Sequence, residues 1–268
     1  MSPEEYIKNG NPAEAKKALM GMVREDPANV DHRVFLFQLC CVLGDYDRAL
    51  NQLNVIGEMS PKALAMVQTY REVLQCEGLR QSVFRGEKTP LFFGEPEPWV
   101  GDIFESLKLQ ALGKSVEASQ LRAAAYDQIS TVSGTINEEP FQWIADADSR
   151  IGPMLEVIMN GKYYWVPFEH IAKIEIEAPE DLRDYVWLAA NFTWKNEGQV
   201  VGFIPSRYPG SESAEDGLIQ LARKTEWVPI LDDAYSGLGQ KMMATDENDY
   251  ALFDIREIVF DATETSEP

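Results

Sequence analysis

Apolar and polar positions in the first half of the chain alternate with helical spacing, and that spacing itself repeats. Between residues 10–27 and 44–61 the matches Gly10/Gly44, Ala15/Ala49, Leu19/Leu53, Met22/Ile56 and Pro27/Pro61 all lie 34 residues apart. A 34-residue period belongs to the tetratricopeptide repeat (TPR), a unit of two antiparallel helices. Gly44 ends a first helix where a left-handed residue is needed. Ala49 is small where two helices approach, Leu53 and Ile56 share a face, and Pro61 stops the second helix. The pattern then decays. A helix is expected over about 63–77 with Gly78 after it, but Val83 stands where the small alanine belongs. A proline-rich connector follows at 89–98, then another hairpin with its turn at Gly113 and its last helix reaching about residue 129. Three to four helical hairpins are expected over 1–130, a stack that typically presents a concave surface.

Residues 131–140 are polar, break the helical period and read as a linker, and the texture from 141 to 260 is β-rich. Residues 155–159 and 162–168 flank Asn160-Gly161, a pair suited to a type I′ turn. Residues 185–194 and 199–205 flank a second turn. Helical spacing returns at 214–224, a closing strand is expected at 250–260, and 261–268 reads as a disordered tail. The fold class predicted is α+β: TPR-like helical hairpins, then an α+β domain with a mainly antiparallel sheet.

Charge narrows the choice of partner. The net charge is −20, and it is uneven: residues 1–130 carry 14 basic and 18 acidic side chains, residues 131–268 carry 10 and 26. Such a surface repels phosphate backbones and anionic lipid, so neither nucleic acid nor membrane is expected as a partner. A basic or neutral protein is favoured. No signal peptide is read at Met1, and no apolar run is long enough to span a bilayer. Cys40, Cys41 and Cys76 show no zinc-type spacing. These features read as a reduced, cytoplasmic protein that needs no metal or cofactor.

Chemistry that would mark an enzyme is sparse. His32 and His170 lack a nucleophile's context. Asp146 and Asp148 fail as a calcium loop, because Arg150, Ile151 and Val157 occupy positions that need ligands or glycine. They remain the one candidate carboxylate pair for a hydrolase, and one strongly raised pKa in a cleft would support that alternative. An ion pair of Asp146 with Arg150 is the structural reading. Gly237-Leu-Gly239 lacks the third glycine of a dinucleotide fingerprint.

Longer strings carry a resemblance. They include Phe141-Gln-Trp-Ile-Ala-Asp146-Ala-Asp148-Ser-Arg150-Ile-Gly-Pro153-Met-Leu-Glu156 and Gly161-Lys-Tyr-Tyr-Trp-Val-Pro-Phe168. Arg207-Tyr-Pro-Gly-Ser-Glu212, Gly237-Leu-Gly-Gln240 and Asp254-Ile-Arg256 follow in the same order. Together these resemble the ImpE/TagJ (SciE, HsiE) family of bacterial type VI secretion accessory proteins, over nearly the whole chain. The resemblance implies a two-domain protein without enzymatic activity. It further implies binding to the N-terminal helix of the small sheath subunit TssB, and a link to sheath recycling by the ClpV ATPase. A general peptide-binding scaffold is the other non-catalytic alternative. A helical stack suits an amphipathic helix in a groove, and a domain junction is where such a groove is expected. Candidate anchors there are the aromatic Trp143, Tyr164, Trp165 and Tyr208, with Asp146, Asp148 and Arg207 as polar contacts.

Overall fold

The structure, a computed structural model, describes residues 1–231 and 234–262. From residue 263 on, the expected tail lies outside the described residues.

Helices α1 (Pro3–Lys8), α2 (Pro12–Glu25), α3 (Val30–Val42) and α4 (Tyr46–Met59) form two successive hairpins in the predicted 34-residue register. Ser2 and Glu5 make a reciprocal capping box that starts α1. Ala15 and Ala49, and Leu19 and Leu53, are fully buried at equivalent positions. Gly10 and Gly44 take φ of +75° and +67° after α1 and α3, a conformation that costs other residues strain.

Helix α5 (Leu64–Phe84) runs through Gly78, the residue expected to follow its end. Its buried face continues past that glycine to Arg80 and Val83, so packing overrides the local breaker. It packs against α4 and touches α6 instead of forming a separate hairpin. Helices α6 (Pro98–Ala111) and α7 (Ser115–Tyr126) make the third hairpin.

The connector is more ordered than its prolines suggest. It contributes β1 (Leu91–Phe92), and Phe93 packs 4.4 Å, centroid to centroid, from Trp194. The stretch read as a linker is also structured. It forms β2 (Gly134–Ile136) and β3 (Glu139–Phe141) around a two-residue turn in which Asn137 and Glu138 both have positive φ. The buried Ile136 ties that hairpin to the core.

Then come β4 (Ile144–Asp146), β5 (Met154–Met159), β6 (Lys162–Pro167), β7 (Ile171–Ile176), β8 (Trp187–Trp194) and β9 (Gln199–Pro205). The expected helix at 214–224 shrinks to one turn, α8 (Gly217–Gln220), capped by the Asp216 side chain. Strands β10 (Thr225–Leu231), β11 (Ala234–Gly239), β12 (Met242–Thr245), β13 (Asp249–Ala251) and β14 (Glu257–Phe260) complete the chain. The closing strand expected at 250–260 is thus two strands split by a 3₁₀ turn at Leu252–Asp254.

A nine-stranded sheet runs β1-β6-β5-β9-β8-β7-β14-β2-β3, parallel only between β1 and β6. Asn160-Gly161 closes β5–β6 with both φ positive, as the hairpin pattern requires. One sheet face packs on the helices, with Tyr70 of α5 against Trp187 and Phe203. The other face packs with the smaller sheet β13-β12-β4 through Leu155, Val166, Phe192, Ile144 and Met243. Helices and sheet therefore share one apolar core.

Candidate functional site

Beneath α5 lies a buried ionic network. Arg80 donates from Nε to Glu156 Oε1 at 2.6 Å, and it meets Glu77 at 3.3 Å. Lys241 Nζ bridges Asp146 at 2.5 Å and Glu156 at 3.1 Å. Tyr163 donates to Glu156, Trp187 to Glu77, and Tyr208 to Asp146. Arg150 clamps Asp148, whose carboxylate also accepts from the Gly237 amide. The expected pairing of Asp146 with Arg150 is thus replaced by Asp146–Lys241 and Asp148–Arg150.

The four acids Glu77, Asp146, Asp148 and Glu156 are paired with three bases, Arg80, Arg150 and Lys241. Burial and attraction compete at each carboxylate. At Glu156 burial pushes the carboxyl up, but Arg80 and Lys241 outweigh it and hold the group at about 2. At Asp146 burial wins, Lys241 opposes it and Asp148 adds to it, and the carboxyl rises to about 6. A raised carboxyl in a cleft was the mark of an enzyme, but Asp146 and Asp148 are enclosed, with relative exposures of 2% and 0%. Among the described residues no cluster of His, Cys, Asp or Glu is arranged to hold a metal. The His170 ring donates from Nδ1 to the Phe93 carbonyl, which pins the connector.

Arg207 has a different duty. It donates to the carbonyls of Cys41 and Val42 at 2.8 and 2.6 Å, capping the end of α3. Arg223 donates to Ile7 at 2.8 Å and Lys8 at 3.4 Å, capping the end of α1. Ile7 and Lys8 stand 34 residues before Cys41 and Val42, so two arginines of the second half cap equivalent ends of consecutive repeats. The repeat glycines face the same segment. A Cβ at Gly10 would lie 2.9 Å from Leu218, and one at Gly44 would lie 2.6 Å from Glu212.

One accessible hollow is predominantly apolar. A cavity of about 170 Å³ opens where α6 and α7 meet the sheet. Trp99 and Tyr126 form its helical wall, residues 129–132 its rim, and Ile144, Pro153 and Phe168 its sheet wall. Trp143, 38% exposed, stands at it, and Glu169 is the one charged residue among its lining residues. Burial, then the nearby Glu97 charge, raises the Glu169 carboxyl.

The expected contact residues are scattered through the molecule. Asp146, Asp148, Trp165, Arg207 and Tyr208 are buried, so as surface contacts they are corrected to internal ones: each satisfies a partner inside the molecule. Tyr164 is half-buried beside Phe93. Trp143 alone lines the cleft. Sequence reasoning missed Trp99, Tyr126 and Glu169 there, and Arg80, Glu77 and Lys241 in the network. Glu156 carried a readable signal, since it interrupts the otherwise apolar run Met154–Met159.

Comparisons with known proteins agree with both halves. A family model described as "ImpE protein" matches residues 138–259, and one described as "Tetratricopeptide repeat" matches residues 6–69. The type VI secretion system accessory component TagJ of Pseudomonas aeruginosa is 44% identical over 264 residues, spanning 98% of this chain and 92% of the relative. A Vibrio parahaemolyticus protein solved by X-ray crystallography superposes with a TM-score of 0.90 over 99% of both chains, at 22% identity. That likeness is one of fold.

Proposed function

We infer the role of this protein from one premise: the chain belongs to the ImpE family, whose relative TagJ is a type VI secretion system accessory component. On this reading it is a non-catalytic, cytoplasmic adaptor of such a system. It binds the N-terminal helix of the sheath subunit TssB and helps deliver the sheath to ClpV.

The observation that carries the reading is the apolar cleft between α6–α7 and the sheet, with Trp143 exposed beside it. Laying an apolar helix face into a hydrophobic groove is an established mode of peptide recognition. The acidic second half would attract a basic helix and speed encounter more than it deepens affinity. A hydrolase built on Asp146 and Asp148 is disfavoured, because both carboxylates are enclosed and paired with cations. Among the described residues no helix is long and apolar enough to cross a membrane.

Titration calorimetry of the full chain against a peptide of the TssB first helix, with a scrambled control, tests the reading. Saturable binding of the native order alone is expected. Absence of heat up to about 1 mM, weaker than about −4 kcal/mol, would overturn it.

A further inference from the structure

We propose that the junction cleft is a socket for one large apolar side chain of an amphipathic helix, with a lysine or arginine one turn away meeting Glu169. This rests on the adaptor reading and names the chemistry that its partner must carry.

Size sets the first requirement. The cavity measures about 170 Å³, and a cavity of about 150 Å³ already accepts a benzene-sized guest. It therefore holds one leucine, phenylalanine or methionine rather than a row of side chains. Its walls are rigid aromatic and proline surfaces, including Trp99, Tyr126, Pro153, Pro167 and Phe168. Anchors that fill pockets of this kind dominate binding energy. Trp143 can cover the inserted group and lose its own exposed surface to the partner.

Charge sets the second requirement. Glu169 lines the cavity, and among the described residues no lysine or arginine pairs with it; the His170 ring nitrogen Nε2 stands 3.9 Å away. Glu97 stands nearby and is held by the Trp99 indole N–H at 3.0 Å. One carboxylate in the lining of an apolar socket, with a second acid near enough to repel it, leaves a place for an incoming cation. Burial first, and the Glu97 charge second, raise the Glu169 carboxyl, and an incoming cation would oppose both. On a helix, positions three and four apart are neighbours, so an anchor and a basic residue one turn apart can reach the socket and Glu169 together. The hollow above β7 and β8 differs in kind, since charged and polar side chains, Glu175, Glu177, Asn191, Arg256 and Glu257 among them, line it.

The test uses the full chain and the TssB first-helix peptide in calorimetry. Trp143→Ala and Glu169→Lys should each weaken binding about tenfold or more, with unfolding midpoints near wild type. A peptide with its basic residue changed to glutamate should regain affinity for the Glu169→Lys protein while losing it for wild type. Such crossed rescue would not follow from a merely structural role. Native peptide binding that both variants leave unchanged would overturn the socket while leaving the adaptor reading intact. Failure of the wild-type chain to bind the peptide would overturn both.

Discussion

Two regions built from adjacent stretches of sequence do opposite work. The network around Asp146, Glu156 and Lys241 gathers the most conspicuous charged residues of the second half and seals them with matching charge. The cleft a few residues away, at Trp143 and Ile144, is lined by groups that attract little notice in a sequence. In a closed, paired network the charges hold the helices to the sheet. In the cleft, apolar surface stays partly exposed and is free to be covered. Conspicuous chemistry is therefore a poor guide to the accessible site of this protein, and exposure is a better one.

Breaking the network should have the largest effect. Arg80→Ala leaves Glu77 buried without its cation and Glu156 with Lys241 alone, which costs about 3–5 kcal/mol. Urea denaturation should show a large fall in midpoint. A change below about 1 kcal/mol would mean that the network does not hold the two parts together.

Acid should act on the same place. Glu156 sits at about 2 in the folded protein, against about 4.3 when unfolded. A depressed carboxyl contributes stability above its unfolded value, and that contribution is lost as pH falls toward about 2. It amounts to about 3 kcal/mol. Glu156→Gln should flatten this limb of the stability–pH curve, measured by chemical unfolding between pH 5 and pH 2, even if its overall stability is lower.

The capping arginines should differ from each other. Arg207→Ala strands buried carbonyls and should cost about 2 kcal/mol. Arg223→Ala, at an exposed residue, should cost about 0.5 kcal/mol. Equal losses in thermal unfolding would contradict the view that burial sets the worth of each cap.

Much of the fold was legible because local rules and packing agree. The 34-residue period gave the first two hairpins, and Asn160-Gly161 gave β5–β6. Where they disagree, packing won. Gly78 stays inside α5 because residues beyond it are buried against the sheet, and the polar stretch near 134–141 pairs into strands around Ile136. The site was less legible. Trp143 was readable as a candidate, but Trp99, Tyr126 and Glu169 come from three separate segments and share no spacing. Arg207 looked like a recognition residue because nothing in its neighbourhood shows that its partners lie at Cys41 and Val42.

On the proposed reading the cleft, and not the helical stack or the buried network, receives the partner. Hydrogen exchange of the full chain with and without the TssB first-helix peptide tests it most directly. Protection concentrated at residues 129–132, 143–145 and 167–169 is the predicted result. Protection confined to α1–α4, with those three segments unchanged, would contradict it.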